Sequence, residues 1–287
     1  MDTHYTHLRC VINPYLTSGK AADTLEDFQA AADELSMEWS TVLTEYVMDD
    51  SHHMVHTALY LMLDNNPYVV AALEGRGARF INAHNAVLTA DSKALTYGVV
   101  RDMTDVLTPR TWVVPYYHID DDRAWIDEYA RSFSGRVPVV VKVDDSSMGR
   151  GVFLAETARD VAEVLRDNSS SRLVVQDYVG SSFGRDIRVL IAHGKVLAVV
   201  RRSSNGNDFR SNIAVGGNMT VTSIDSRDLD IALDVMERVG LTYGSVDFLI
   251  GESGLIVNEV NARPRLHTIN ALVGRNTAID ILAPYVA

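Results

Sequence analysis

The sequence predicts a fold of the α/β and α+β classes, with a small N-terminal lobe and two further lobes. In the first 90 residues, apolar runs of strand length alternate with stretches of helical periodicity, which is typical of a parallel α/β unit. Helices and strands are mixed in the middle of the chain, and two hairpin signals lie in the C-terminal third. With 287 residues, 47% of them hydrophobic, the chain is long enough to bury a substantial core.

The first lobe is predicted over residues 1–90. It opens with a short strand, followed by a turn-rich loop and a stretch with apolar residues at helical spacing. Continued alternation of strand and helix indicates a parallel sheet. The predicted strands are 8–12, 37–43 and 68–73, and the predicted helices are 24–35 and 51–64.

The second lobe, residues 91–180, is predicted to mix helices and strands. Pro109 excludes a helix from the extended stretch around it, and Thr157 is a favourable N-cap for the helix that follows it. A polar, glycine-containing loop, DDSSMGRG, follows the apolar run VPVVVKV. The predicted helices are 90–103, 122–134 and 157–168, and the predicted strands are 108–114, 137–143, 151–156 and 172–179.

The third lobe, residues 181–287, has two β-hairpin signals. The first joins two apolar runs within 186–202 at the pair His193-Gly194, and the second spans 243–261 with its turn at 251–254. A polar segment, DFRSNIAVGGN, lies between the hairpins. A helix is predicted to follow it and to end at Gly240 as its C-cap.

Composition restricts the class of protein. The formal net charge is -12 and the pI about 5.1, which argues against nucleic-acid binding because phosphate backbones attract clustered lysine and arginine. No apolar stretch has the length of a membrane span, and no signal sequence is evident. The single cysteine, Cys10, lies in an apolar run and is expected to be a buried thiol. We therefore expect a cytoplasmic protein without membrane partners.

Three oxygen-bearing side chains converge on the last hairpin. Glu259 and Asn261 are two apart on one strand and therefore share a face, while the turn brings Asp247 roughly opposite that part of the strand. Carboxylate and amide oxygens are the ligands that Mg²⁺ prefers. The alternative is a solvent-facing sheet surface, and spacing alone favours neither.

Two groups of cations are candidates for binding phosphate. Lys142 ends an apolar strand directly before the glycine loop, although the pattern is not a P-loop. Arg201 and Arg202 directly precede the segment SSNGNDFRSN, which contains Arg210, and the three arginines suit phosphate or carboxylate oxygens. The alternatives are a solvated lysine and a charged surface hairpin.

His52 and His56 have the i, i+4 spacing of metal-binding histidines on a helix. The zinc protease motif needs glutamate where His53 stands, and no third ligand is evident. An ordinary, partly exposed helix is therefore favoured.

Taken in order, these motifs resemble the RimK-like ATP-grasp ligases. The resemblance extends from about residue 82 to the end, and it is carried by Lys142, the glycine loop, VVQDYV, GRDIRVL, RRSSNGNDFRSN and VDFLI…VNEVNARP. It implies an ATP-grasp fold, with a small N-terminal parallel α/β lobe followed by two α+β lobes. These two lobes clamp ATP, and the reaction uses magnesium. It also implies an ADP-forming enzyme that joins a carboxylate to an amine through an acylphosphate.

The resemblance implies roles for named residues. The nucleotide is expected to contact Lys93, Lys142, Gly149, Gly151, Gln176, Asp177, Tyr178, Asp186, Arg210, Ser211 and Asn212. Two Mg²⁺ ions, with Mn²⁺ as an alternative, are expected at Asp247, Glu259 and Asn261. Catalytic roles are implied for Arg202, Arg210 and Asn212, and substrate contacts for Arg188, Arg263 and Arg265. Asp186 is expected at the ribose.

The chain departs from the family pattern after the metal ligands. Where the family reads Asn-x-x-Pro-Gly, this chain reads NARPR, so Arg265 replaces the glycine. One interpretation is surface variation. The other is a pocket altered to bind an acidic or carboxylate-bearing partner, because arginine pairs with carboxylates through two N–H donors.

The expected partners are a carboxylate and an amine substrate, each either a small molecule or a peptide. A homo-oligomer is left open by the sequence. The competing interpretations are a kinase-like ATP-grasp enzyme, which phosphorylates its substrate and stops, and a non-catalytic nucleotide-binding protein. Retention of Lys142, Asp247, Glu259 and Asn261 favours an enzyme.

Overall fold

The computed structural model describes residues 4–13, 22–47, 55, 57–64, 66–115, 123–146, 149–206, 208–211 and 217–286. The strands form three sheets, one of four parallel strands, one of four antiparallel strands and one of five antiparallel strands. Among the helices in these ranges, none combines the length and apolarity needed to cross a bilayer.

Sheet 1 is the parallel sheet near the N-terminus, with strand order β2-β1-β3-β4. Its outer faces are covered by short helices, as expected for a parallel α/β unit. The strands are β1 (His7–Ile12), β2 (Glu38–Leu43), β3 (Ala58–Met62) and β4 (Arg79–Ile81). The helices that accompany them are α1 (Ala22–Glu34), α2 (Thr44–Val47) and α3 (Pro67–Glu74).

Two predictions in this lobe are wrong: part of a predicted helix is a strand, and a predicted strand is part of a helix. Residues 58–62, predicted within a helix, form the fully buried strand β3, because a continuous apolar run fits the centre of a parallel sheet. Residues 68–73, predicted as a strand, lie in helix α3. Asn66 caps that helix and Pro67 occupies its first turn, and these local signals outweigh its two valines.

The helix predicted over 90–103 is two helices, α4 (His84–Asp91) and α5 (Lys93–Val100). Ser92 separates them in an extended conformation, and its hydroxyl accepts a hydrogen bond from the backbone N–H of Leu95. Serine is a preferred N-cap for this reason. The break lets α5 begin at Lys93, so the Lys93 side chain is carried on the first turn of a helix.

Sheet 2 is antiparallel, with strand order β5-β8-β6-β7. Two helices cover one face, and the buried core of this sheet includes Ile126, Val141 and Leu165. The strands are β5 (Thr111–Val113), β6 (Val139–Val143), β7 (Val152–Ala155) and β8 (Leu173–Asp177), and the helices are α6 (Arg123–Arg131) and α7 (Ala158–Asp167).

Sheet 3 is antiparallel, with strand order β11-β10-β9-β12-β13. Both predicted hairpins are present in it. The strands are β9 (Arg185–Ala192), β10 (Lys195–Ser203), β11 (Asn218–Val221), β12 (Tyr243–Ile250) and β13 (Leu255–Asn261), and the helices that follow β11 are α8 (Ser226–Val239), α9 (His267–Val273) and α10 (Ala278–Leu282).

Sheets 1 and 3 share a hydrophobic core, whereas sheet 2 has a core of its own. One core joins sheet 1 to one face of sheet 3 and contains Leu8, Cys10, Leu190 and Tyr243. The other face of sheet 3 packs on α4, α5 and α8, although the sequence placed residues 91–103 in the second lobe. Burial raises the pKa of the Cys10 thiol well above its usual range, as expected for a core cysteine. The lobe boundaries at 90 and 180 stay predictions.

Candidate functional site

A cleft of about 1270 Å³ lies between sheets 2 and 3 and reaches the edge of sheet 1. Asn13 and Leu63, which directly follow β1 and β3, line one end of it, so the carboxyl ends of the parallel strands face the cleft. Most of the predicted site residues line it, namely Lys93, Lys142, Gly149, Gln176, Asp177, Tyr178, Asp186, Arg188, Arg202, Arg210, Ser211, Glu259, Asn261, Arg263 and Arg265.

Among the described residues, the predicted site residues Gly151 and Asp247 are not part of that lining. Asn212 lies outside the described residues, as do His52, His53 and His56. Arg201 is exposed and does not line the cleft, because adjacent residues on β10 face opposite sides and Arg202 takes the inner side.

Asp247 is the centre of a buried charge network. It is fully buried on β12, directly opposite Glu259 on β13, as the hairpin predicted. Arg188 donates two hydrogen bonds of 2.7 Å to its carboxylate, and Arg202 donates a third of 2.7 Å. Burial by itself raises the pKa of Asp247, but Arg188 and Arg202 more than offset this and lower the pKa to about 2.

Arg202 bridges two carboxylates. Its Nε lies 2.7 Å from Oδ1 of Asp186 and its Nη2 lies 2.5 Å from Oδ2, while Nη2 also reaches Asp247. The hydroxyl of Ser211 donates to the same carboxylate of Asp186. Both oxygens of Asp186 are thus engaged within the protein, an arrangement that orients Arg202. The expected contact between Asp186 and a ribose stays a prediction.

The metal-ligand prediction can be compared with the geometry of Asn261. Its Nδ2 lies 3.2 Å from Oδ2 of Asp247 and 3.4 Å from Oε1 of Glu259, so the amide sits between the two carboxylates. A half-turn of the amide would replace that nitrogen with oxygen and bring three side-chain oxygens together, an arrangement that a bound cation would stabilise. The donor set therefore fits a hard divalent cation.

Among the described residues, no group of three or more His, Cys, Asp and Glu side chains could hold a metal ion. Two carboxylates, Asp247 and Glu259, are present at the site, and the amide of Asn261 lies between them. Magnesium commonly keeps several waters or phosphate oxygens in its coordination sphere and needs few protein ligands.

Asn258 is a site residue that the sequence analysis missed. The pairing of β12 with β13 shifts between Asp247 and Phe248, so Asn258 is an extra, bulged residue. Its Oδ1 accepts a 2.9 Å hydrogen bond from Nζ of Lys142. Strict alternation would put Asn258 on the face opposite Glu259, and only the bulge brings it to the cleft.

Lys142 lies at the end of β6 and is buried, with 7% of its surface exposed. Burial lowers the pKa of Lys142 to about 8, an effect that nearby Glu259 opposes and Lys93 reinforces. Its bond to Asn258 links sheet 2 to sheet 3 across the cleft. An ammonium group that is poorly solvated gains more from an added anion than an exposed one does.

Lys93 secures the start of the glycine loop. Its Nζ donates to the backbone oxygens of Asp144 at 3.0 Å and Ser146 at 2.7 Å. The carboxylate of Asp144 in turn accepts bonds from the Ser92 hydroxyl and the backbone N–H of Ala94, both at 2.8 Å. Asp144 is a second residue that was missed, because a polar loop gives no sign of which carboxylate caps a distant helix.

Gly151 is the last residue of the glycine loop before β7. Gly151 has a φ of 60°, and a Cβ there would lie 2.6 Å from Cγ2 of Val143, so only glycine fits. The backbone oxygen of Gly149 accepts a 2.9 Å hydrogen bond from Nη1 of Arg210. Arg210 is otherwise paired with Asp208, whose carboxylate it meets at 2.7 Å and 3.0 Å. Arg210 therefore ties the glycine loop to the segment after β10.

The predicted adenine residues lie at the end of β8. Gln176 is buried, and its Nε2 donates to the Thr111 hydroxyl at 2.9 Å. The backbone N–H of Asp177 donates a 3.0 Å hydrogen bond to the backbone oxygen of Arg110. The ring of Tyr178 meets that of Phe209 edge to face at 6.4 Å. These residues form one wall of the cleft, with apolar surface beside polar groups.

Arg263 and Arg265 follow β13 at the end of the cleft that faces sheet 1. Arg263 is mostly buried and donates a 2.5 Å bond to Asp91, the last residue of α4. Arg265 is exposed at the cleft wall. The two arginines therefore lie near each other but differ in access to solvent.

Comparison with known proteins identifies the family. Residues 91–285 match the RimK-like ATP-grasp domain. Over 150 residues the chain is 38% identical to a probable alpha-L-glutamate ligase of Citrobacter koseri, an overlap that covers 51% of this chain and 48% of that protein. It is 37% identical, with the same coverage, to a ribosomal protein bS6–L-glutamate ligase of Salmonella paratyphi B. The chain thus matches about half the length of these curated relatives.

Solved structures share the whole fold. The D-alanine–D-alanine ligase of Bacillus anthracis aligns with a TM-score of 0.71 at 14% identity and covers 97% of this chain and 96% of its own. A RimK domain protein of Sphaerobacter thermophilus aligns at 0.66 and 16% identity, with coverages of 98% and 99%. The ligase PsnB, solved with a minimal precursor variant, Mg and ADP, aligns at 0.69 and 15% identity, with coverages of 99% and 98%. The three sheets have the ATP-grasp arrangement, and the chain belongs to the RimK-like ATP-grasp family.

Proposed function

We propose that this protein is an ATP-dependent ligase that joins a carboxylate to an amine through an acylphosphate and releases ADP. The observation that carries the proposal is the convergence of cations with a cation-binding donor set in one cleft. Lys142 and Arg202 lie beside Glu259 and Asn261, and the family match spans the same region. Phosphoryl transfer depends on positioning and charge neutralisation more than on a protein nucleophile.

Bound magnesium would neutralise the phosphate oxygens and hold them in line for transfer. Glu259 and Asn261 would ligate it from the cleft wall. Asp247 would contribute through Oδ2, the oxygen that lies 3.2 Å from the Asn261 amide. We propose that ATP is the nucleotide. The number of ions and the use of Mn²⁺ stay predictions.

The remaining side chains supply the other requirements of the reaction. Lys142, poorly solvated and held by Asn258, would meet the phosphates. Arg202, oriented by Asp186, would stabilise the charge that develops as the substrate carboxylate attacks the γ-phosphate. The glycine loop, tied to Arg210 through Gly149, would cover the acylphosphate and keep water away while the amine attacks.

For the substrates, we propose an amino acid and a peptide or small metabolite. Two relatives are glutamate ligases by name, one of them acting on a ribosomal protein, and PsnB was solved with a precursor. In this chain, Arg265 stands at the cleft wall near Arg263, which suits a carboxylate-bearing substrate at the sheet 1 end. A cytoplasmic location and the oligomeric state stay predictions.

The test is to supply ATP, magnesium and a panel of candidate carboxylic acids that carry no free amine, such as N-acetylated amino acids and peptides, with and without a mixed pool of amino acids as amines. Release of ADP should accompany a product whose mass equals acid plus amine minus water. A stable phosphorylated acid without amide would replace the ligase with a kinase-like enzyme. ATP binding without turnover across the pool would leave the non-catalytic nucleotide-binding protein.

A further inference from the structure

Asn82, which directly follows β4, uses its whole side-chain amide to hold the backbone of sheet 3. The residue is buried, with 2% of its surface exposed. Its Nδ2 donates to the backbone oxygens of Tyr243 at 2.8 Å and Ala262 at 3.1 Å. Its Oδ1 accepts from the backbone N–H groups of Thr242 at 2.8 Å and Tyr243 at 3.0 Å. An amide offers two N–H donors and two oxygen lone pairs, so its full capacity is in use.

These bonds begin where the pairing of β12 with β13 ends. The last pair of that ladder is Ser245 opposite Asn261. Tyr243 lies two residues before Ser245 and Ala262 lies one residue after Asn261, and the amide of Asn82 bonds to both. Asn82 therefore joins the start of β12 to the end of β13 beyond the reach of their own ladder.

The two strands approach each other closely at this end. A Cβ at Gly244 would lie 2.7 Å from the backbone oxygen of Asn261, so only glycine fits there. This contact limits movement of Asn261 toward β12. The bonds from Nδ2 of Asn82 to Tyr243 and Ala262 limit movement in the other direction, because the two backbones share one donor group. The backbone around Ala262 is thus confined from both sides.

Two side chains of the cleft depend on this stretch of backbone. Ala262 lies between Asn261, whose amide contacts both carboxylates of the proposed metal site, and Arg263 at the sheet 1 end of the cleft. Both neighbours of Ala262 line the cleft, whereas Asn82 does not. A displacement of about 1 Å in a catalytic arrangement can lower the rate by about 100-fold, even when its cause is remote from the reacting atoms.

We propose that Asn82 is a positioning residue, which fixes the backbone at Ala262 and so directs the side chain of Asn261 to a bound divalent cation. The inference rests on the proposed metal site. An ionised aspartate at this position would supply acceptors but no N–H donors, and an apolar side chain would leave four backbone groups without their partner. Through Asn82, the end of a strand of sheet 1 sets the geometry of a site built on sheet 3.

The experiment compares wild type with Asn82→Ala by titrating Mn²⁺ in the presence of a non-hydrolysable ATP analogue. Free Mn²⁺ is followed by electron paramagnetic resonance, at a temperature where circular dichroism shows both proteins folded. Mn²⁺ should bind about tenfold more weakly to Asn82→Ala, which is the loss expected when the support of a metal ligand is removed.

Asn82→Asp is the second variant and serves if Asn82→Ala does not fold. It keeps an acceptor for the N–H groups of Thr242 and Tyr243 but loses the N–H₂ group that holds Ala262. Its Mn²⁺ affinity should also fall by about tenfold. The added negative charge would by itself favour cation binding, so a loss in this variant reports on the position of the ligand.

Asn270→Ala is the matched control. Asn270 is also buried, with 9% of its surface exposed, and its Oδ1 accepts bonds from the backbone N–H and the hydroxyl of Thr277. Asn270→Ala should lower the melting temperature, as Asn82→Ala does, but leave Mn²⁺ affinity unchanged.

Two outcomes would overturn the role of Asn82 and leave the metal site standing. One is wild-type Mn²⁺ affinity in the Asn82 variants. The other is an equal loss of affinity in Asn270→Ala, which would trace the effect to general destabilisation. Absence of Mn²⁺ binding by the wild type would overturn the metal site together with the role of Asn82.

Discussion

Side chains in the cleft are held by pairing between opposite charges. Asp247 accepts hydrogen bonds from Arg188, Arg202 and Asn261, and Asp186 holds the other side of Arg202. Such buried pairs do little for net stability, but removing one member leaves a charge uncompensated. The network therefore fixes the geometry of Arg202 before any ligand arrives, which is what a site for developing charge requires.

Asp247→Asn tests that network. The variant leaves Arg188 without a carboxylate partner and removes one of the two carboxylates that pair with Arg202. The free energy of unfolding should therefore fall by about 3 kcal/mol. Urea unfolding in the presence of a chelator measures it without metal. Asp102→Asn is the matched control, because Asp102 pairs with Arg101 at the exposed surface, where an ion pair contributes at most about 1 kcal/mol. Equal losses in the two variants would contradict the network.

Glu259→Gln tests the metal site. The variant keeps the shape of the side chain but removes its charge, so turnover should fall by about 100-fold while the fold is retained. ADP release at saturating ATP and magnesium gives the measurement, with circular dichroism to check the fold. Glu252→Gln, in the exposed turn of the same hairpin, should keep full activity. ADP release by Glu259→Gln at the wild-type rate would show that the metal is bound elsewhere.

At the scale of elements, local capping residues decide where helices begin, and a β-bulge decides which side chains of a strand face the cleft. Ser92 divides α4 from α5 and so places Lys93 on a first helical turn. The bulge at Asn258 adds an amide to the face that carries Glu259. The Thr157 hydroxyl and the Asp160 carboxylate form a capping box at the start of α7, as the sequence predicted for Thr157.

Asp160→Asn tests the capping box through its pH dependence. Hydrogen bonding, chiefly from the backbone of Thr157, lowers the pKa of Asp160 in the folded protein. Its stabilising contribution is therefore present above the unfolded pKa of about 3.9 and is lost as pH falls through the lower folded pKa. The variant should be about 0.5 kcal/mol less stable than wild type at pH 7. That difference should shrink as pH falls below about 4 and vanish once the pH is below the folded pKa of Asp160.

The control for Asp160 is Asp225→Asn. Asp225 occupies the N-cap position of α8, but its side chain makes no capping hydrogen bond. Its substitution should change the free energy of unfolding little at any pH. A pH-independent loss in Asp160→Asn, measured by urea unfolding, would show that charge plays no part in the cap.

At the scale of the whole molecule, sheets 1 and 3 share a core and sheet 2 has its own. Leu8 and Leu190 come from different sheets but lie in one buried cluster, whereas Val141 packs in the separate cluster of sheet 2. The cleft separates these two bodies and is crossed by bonds such as that between Lys142 and Asn258. We therefore expect sheet 2 to move as a unit over the nucleotide.

Leu8→Ala tests this division. It should lower the free energy of unfolding by about 3 kcal/mol and reduce hydrogen-exchange protection in β1, β9 and β12 together, because they share its core. Val141→Ala is the control in the other body and should reduce protection mainly in β6 and β8. Equal loss of protection throughout the molecule in both variants would show a single cooperative unit.

Several features of this protein were fixed by its sequence alone. The parallel N-terminal lobe, both hairpins and the pairing of Asp247 with Glu259 follow from local periodicity and turn position, which depend on near neighbours in the chain. The tertiary structure decided the rest. Residues 58–62 became a strand because a buried apolar run takes its conformation from the sheet around it. Asn258 and Asp144 gained their roles from contacts across the cleft or between distant segments, and periodicity within one segment carries no information about such contacts.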